Sequence, residues 1–170
     1  RFGHRMDQVE FHPAYHEIMA TAIAHGVPSL PWNEPGEGAQ VVRAALMYLH
    51  GQAEAATCCP LTMTYAGVPA LNADPELAKI WQPKLTSGTY DPSTRPVTEK
   101  AGATLGMAMT EKQGGSDVRA NTTKAVRDGD HYRLTGHKWF CSAPMSDGFL
   151  TLAQAEGGLT CFLVPRWLEG

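Results

Sequence analysis

The sequence predicts an α+β fold, with an all-helical N-terminal domain followed by a run of antiparallel strands. Three observations carry this. Between Val41 and Ala53 the apolar residues recur at three- and four-residue steps, which is helical spacing. Beyond Leu105 they fall instead in short runs. Those runs are joined by two glycine-centred turns, Asp128-Gly129-Asp130 and Glu156-Gly157-Gly158, of the kind that closes hairpins. Helices first and strands afterwards is an α+β order, not an alternating one. The boundary falls near residue 103, giving a helical domain over 1–103 and a strand domain over 104–170.

The first helix is read from Pro13, whose missing N–H costs nothing in a first turn, to Ala24. Pro28, Pro31, Pro35, Gly36 and Gly38 then oppose regular structure. From Ala39 to Ala56, Val41, Val42, Ala45, Leu46, Leu49 and Ala53 make the stripe of an amphipathic helix. Cys58 to Tyr65 extends a second, more buried helix after Pro60. Asp74-Pro-Glu supplies an N-cap residue, a first-turn proline and an early carboxylate for a further helix, which Pro83 limits. Asp91 to Pro96 is a turn-rich connector. Strands are expected over Leu105–Thr110, Thr122–Arg127, His131–Lys138, Phe149–Ala155 and Leu159–Val164.

A chain of 170 residues can bury a real core without a disulfide or metal staple. The net charge of −3 gives no electrostatic case for nucleic acid or an anionic membrane. No apolar run approaches the roughly 20 residues of a spanning helix, and a cytoplasmic protein is expected. Cys58, Cys59, Cys141 and Cys161 contain no C-x-x-C pair and are read as reduced, mostly buried thiols. The chain opens at Arg1 and closes at Gly170 directly after a strand-like run, and is read as a piece of a longer protein.

Chemistry concentrates in Ala108-Met-Thr-Glu-Lys-Gln-Gly-Gly-Ser-Asp-Val-Arg-Ala120. Glycines let main-chain N–H groups approach a ligand, and the hydroxyls of Thr110 and Ser116 donate or accept. Such a loop suits a phosphate or the edge of a polar heterocycle. It is neither a P-loop nor a dinucleotide fingerprint. On its own the signal is weak, and a plain surface turn is the more common explanation of such a segment.

Other features have plainer readings. His12 and His16 stand at i, i+4 but lack a third metal ligand, so they are read as structural or surface histidines. Met107 and Met109 alternate in a strand, with core on one side. The basic residues between Lys112 and Lys138 interleave with Glu111, Asp117, Asp128 and Asp130, and read as a solvated strand surface.

The 108–120 segment resembles, position for position, a signature of the acyl-CoA dehydrogenase family. About twenty residues later Gly136-His-Lys-Trp-Phe-Cys-Ser142 resembles that family's second flavin segment. Trp81-Gln-Pro-Lys-Leu-Thr-Ser-Gly88 resembles the helix that precedes its β domain. Within the family the chain is most similar to the AidB branch of alkylation-response flavoproteins, through Arg1-Phe-Gly-His-Arg and Val9-Glu-Phe-His-Pro. Lys112 and Gln113 stand where ordinary members have a proline and a third small residue.

This resemblance implies an incomplete β-barrel after the helices, with the family's C-terminal helical bundle absent. It implies FAD as cofactor, lined by Met107, Ala108, Met109, Thr110, Gly114, Gly115 and Ser116 on one wall. Phe140, Cys141 and Ser142 form the other, with Ser142 reaching the reactive flavin nitrogen. Ser116 would also touch an acyl-CoA thioester, and Glu111 would organise the loop. Cys141, beside that wall, is read as a packing residue before a redox thiol. The implied reaction is α,β-desaturation of the thioester with hydride transfer to flavin. Its carboxylate base belongs to the C-terminal domain, so no catalytic residue is expected here and this chain alone is expected to be inactive. The branch also implies a homotetramer. The alternative is a DNA-associated protective flavoprotein with incidental dehydrogenase activity, its DNA contacts lying beyond this chain.

Overall fold

The computed structural model describes residues 3–167. Arg1 and Phe2, the start of the Arg1–Arg5 phrase, and residues 168–170, the end of the strand domain, lie outside the described residues. Among the described residues five α-helices come first: α1 (Pro13–Ala24), α2 (Leu30–Asn33), α3 (Ala39–Ala53), α4 (Cys58–Ala70) and α5 (Pro75–Leu85). Five strands follow: β1 (Leu105–Ala108), β2 (Lys124–Asp128), β3 (His131–Thr135), β4 (Gly148–Ala155) and β5 (Gly158–Pro165). The chain is α+β.

The helix starts obey local chemistry. His12 caps α1 by accepting the Ala14 N–H on its ring nitrogen at 3.2 Å. Asp74 caps α5 by accepting the N–H groups of Glu76 and Leu77 at 3.1 Å each. Pro83 does not end α5, which runs two residues further to Leu85. A proline so close to the C-terminus removes one helical bond, and burial of Trp81 and Leu85 favours the continued turn.

Most of the expected α3 stripe is exposed. Val41 is 72% exposed and Leu49 64%, and of the stripe Leu46, with its neighbour Met47, packs on the core of Met19, Ala22, Ile23, Val27 and Leu61. Periodicity identified the helix but not its buried side. Among the described residues no helix is long and apolar enough to cross a membrane.

A second core of Val68, Leu71, Trp81, Leu85, Ala103 and Leu105 joins α4 and α5 to the sheet. Both expected hairpins form, as antiparallel β2–β3 and β4–β5 pairs. The sheet as a whole is mixed, a correction to the all-antiparallel expectation. β1 runs parallel to β4 from Leu105↔Gly148 to Ala108↔Thr151, and β2 meets β4 in parallel at Lys124↔Gln154. Thus β1 and β2 share one edge of β4, and β5 takes the other. The physical cause is the long excursion after β1, which returns the chain to the end of the sheet where β1 began. Among the described residues the sheet is open and not closed into a barrel.

Candidate functional site

The excursion from β1 to β4 carries both segments singled out above. Main-chain bonds bring them together: Trp139 N–H donates to the Thr110 carbonyl at 2.9 Å, and Ser142 N–H to the Met107 carbonyl at 3.4 Å. The other carbonyls of the β1 wall are also taken. Thr151 Oγ1 donates to Ala108 at 2.6 Å and Asn121 Nδ2 to Met109 at 2.8 Å. The wall is therefore held from behind, leaving side chains and loop N–H groups for the front.

Glycine is required at two points. A Cβ on Gly106 would come within 2.7 Å of the Ser142 carbonyl, so β1 could not approach the second segment. A Cβ on Gly115 would come within 2.7 Å of Thr110 Oγ1, so the 114–116 turn could not fold over Thr110. In the second segment Phe140 has φ 64°, a left-handed conformation that costs a large residue energy. It is also 74% exposed, and Trp139 is 46% exposed. Two large aromatic side chains thus stand open beside the β1 wall.

Glu111 is buried at 2% exposure and accepts five bonds. Oε2 takes Thr122 N–H at 2.6 Å, Thr122 Oγ1 at 2.9 Å and Gln113 Nε2 at 3.1 Å. Oε1 takes Thr123 N–H at 2.9 Å and Lys138 Nζ at 3.0 Å. Burial alone would raise the Glu111 pKa, but the hydrogen bonds from Thr122, Thr123 and Gln113 hold it well below the carboxylate range. A folded-state pKa below the unfolded one gives stability that is present above the unfolded pKa, about 4.3, and lost as pH falls below it. The unfolding temperature is expected to drop between about pH 5 and pH 3. Thermal melts across that range should show a shallower drop for Glu111→Gln.

Met107, Thr110, Gly115 and Ser142 are brought together directly. Ala108 is 5% exposed, so it offers a ligand only backbone. Met107 and Met109 are half-buried and do not form the expected core, which Leu105 and Ala108 supply instead. Gly114, Ser116 and Cys141 are exposed. The four thiols are free, but Cys59, Cys141 and Cys161 are exposed where burial was expected. Partial burial pushes the Cys141 thiol up, away from a reactive thiolate. Lys138 and Glu111 form a buried ion pair, a correction to the solvated-surface reading, which holds for Arg133 with Asp128. His16 Nδ1 lies 2.8 Å from the Tyr90 hydroxyl, so both histidines serve the helical half. Asn121 and Trp139 join the site through their bonds to the Met109 and Thr110 carbonyls, which the sequence does not reveal. Trp139 lies within Gly136–Ser142, and no local signal marks Asn121.

The side-chain hydrogen bonds of this region run to Glu111, to the wall carbonyls and to the Ala120 carbonyl. Among the described residues they leave the hydroxyls of Thr110, Ser116 and Ser142 uncommitted. Uncommitted hydroxyls, open aromatic rings and a glycine-lined turn suit a flat ligand with a polar rim.

Residues 1–92 match the adaptive response protein AidB N-terminal domain, and residues 106–170 the acyl-CoA dehydrogenase middle domain. The chain is 51% identical over 170 residues to Escherichia coli (strain K12) AidB, covering 98% of this chain and 31% of that protein. It is 32% identical over 157 residues to acyl-CoA dehydrogenase family member 11 of Caenorhabditis elegans, covering 90% and 25%. The crystal structure of Caenorhabditis elegans ACDH-11 in complex with C11-CoA has a TM-score of 0.80 at 29% identity, over 96% of this chain and 29% of that one. The chain thus spans a third or less of these relatives. With the helical half and the sheet half both matched, in that order, the chain belongs to the AidB branch of the acyl-CoA dehydrogenase family.

Proposed function

We propose that this chain supplies one side of the FAD site in an oxidoreductase that desaturates an acyl thioester at its α,β positions. The observation that carries it is the set of three uncommitted hydroxyls on two segments stitched together by their main chains. A flavin fits this face. Its ring offers polar edge atoms to Thr110 and Ser142, its faces suit the open rings of Trp139 and Phe140, and Gly114-Gly115 leaves room for close backbone approach.

When bound, FAD supplies the hydride acceptor. The residues here bind and orient. Ser142 would turn its hydroxyl toward the ring, where a donor stabilises the charge that reduction brings, and the half-buried Thr110 would offer a second hydroxyl to the ring's polar rim. Ser116, exposed at the mouth of the turn, contacts the thioester. Glu111 is not the group that removes the α-proton. Glu111 is saturated by five donors and turned inward, which does not suit it to that role, and the family resemblance implies a base in the C-terminal helical domain. The same reading places the protein in the cytoplasm as a homotetramer.

Full-length protein should bind FAD in about one-to-one ratio, and Ser142→Ala should weaken binding about fivefold, the worth of one hydrogen bond of ~1 kcal/mol. A full-length protein that takes up no FAD in a spectroscopic titration sinks the reading. Anaerobic mixing with a panel of acyl-CoAs then separates the branches. Fast bleaching by a common straight-chain thioester marks an ordinary dehydrogenase; slow bleaching favours incidental activity and a protective role.

A further inference from the structure

The two flavin-facing segments are tied by few bonds for walls that must hold a fixed gap. Two main-chain bonds cross between them, and the one at Ser142 is long at 3.4 Å. Packing adds little on the second wall. Trp139, Phe140 and Cys141 are exposed, and Phe140 and Ala143 both have positive φ. Such a segment relaxes unless something over-determines it.

One side-chain bond reaches from wall to wall, and it is buried. Lys138 Nζ donates to Glu111 Oε1 at 3.0 Å, with side-chain exposures of 13% and 2%. The same carboxylate takes both N–H groups where the chain enters β2, at Thr122 and Thr123. Gln113 adds a second brace, since its Nε2 donates to Glu111 and to the Ala120 carbonyl, both at 3.1 Å. Glu111 is thus the node joining the glycine turn, the entry to β2 and the second wall. We propose that Glu111 is a positioning residue for the flavin cradle, holding the 138–142 wall at a set distance from the 107–110 wall through Lys138. This rests on the flavin reading above.

The carboxylate is suited to that task and not to chemistry. All five of its donors come from the protein, so it has no lone pair to offer a ligand. The Lys138 charge is spent inward on Glu111, so Lys138 offers the ligand no free cation either. What the pair transmits is geometry.

The test uses full-length protein and three variants. Lys138→Met keeps the stem of the side chain and leaves Glu111 four donors, against the single Thr104 N–H that Lys100→Met would leave Asp147, and a thermal melt of the variant checks that it is folded before FAD is added. It is expected to raise the FAD dissociation constant at least tenfold and to blur the visible absorption band of whatever flavin stays bound, as water reaches a loosened ring. Lys138→Arg should restore both. Glu111→Gln should match or exceed the Lys138→Met defect, because the amide points N–H against the N–H donors of Thr122 or Thr123. Wild-type protein that binds FAD while Lys138→Met binds it equally, with an unchanged spectrum, overturns this proposal alone. So does a defect in Lys138→Met that Lys138→Arg leaves unrepaired. Failure of the wild-type protein to bind FAD overturns the flavin reading and this proposal together.

Discussion

Replacing Lys100 by methionine is expected to destabilise the fold by about 3–5 kcal/mol, because it strands a buried carboxylate. Lys100 is 4% exposed and Asp147 6%, and Lys100 Nζ lies 2.5 Å from Asp147 Oδ1. Burial pushes the Asp147 carboxyl up, and the Lys100 ammonium and the Thr104 N–H pull it back toward ionisation. The pair sits at a junction. Lys100 also donates to the Ser93 carbonyl at 2.8 Å, its own carbonyl accepts from Lys84 Nζ at 2.6 Å, and Asp147 Oδ2 takes Thr104 N–H at 2.9 Å. One ion pair therefore fastens the 91–103 connector to both α5 and the start of β4. Adding Asp147→Asn to Lys100→Met should recover most of the loss, since the amide oxygen still serves Thr104 and no charge is left buried. Urea titration reads both numbers. A single variant within about 1 kcal/mol of wild type would contradict the account.

Trp81→Ala is expected to cost about as much, ~3–5 kcal/mol, by a different route. Trp81 is 4% exposed at the centre of the cluster that joins helices to sheet, with Leu85, Ala103 and Leu105. Its ring lies so close to Gly148 that a Cβ there would come within 2.7 Å of it. Truncation leaves a void bordered by a strand that cannot move inward without breaking its pairing with β1. The neighbouring residue is the control. Ile80, on the same helix, is 44% exposed, and Ile80→Ala should change stability by less than about 0.5 kcal/mol. Equal losses at the two positions would mean that the helix, and not the seam, is what matters.

How much of this was legible in advance depends on how far apart the causes lie along the chain. The starts of α1 and α5 were legible because a proline and its cap sit within a few residues of each other, at Pro13 and at Asp74-Pro75. The hairpins were legible for the same reason, through Gly129 and Gly158 with φ of 67° and 112°. The outward side of α3 was not, because a period says which residues share a face and nothing about what covers that face. The parallel β1–β4 register was not, since no local signal marks a partner so distant. Glu111 shows the limit within the site. Its place in the glycine loop suggested an organiser, but its partner Lys138 stands 27 residues away and looked like one more surface charge. The glycines and hydroxyls of the site were readable from the motif; the bonds that hold them were not.

The parallel pairing of β1 with β4 also sets an order of events. Thr151 meets Ala108 across 43 residues, so closing that loop costs far more chain entropy than zipping either hairpin. The β2–β3 and β4–β5 hairpins, whose strands are joined by tight turns, can form before it. Both ligand-facing walls lie on the loop that this late closure completes. A chain still emerging during synthesis is therefore expected to have its helices and its first hairpin before the docking of β4 brings the two segments together.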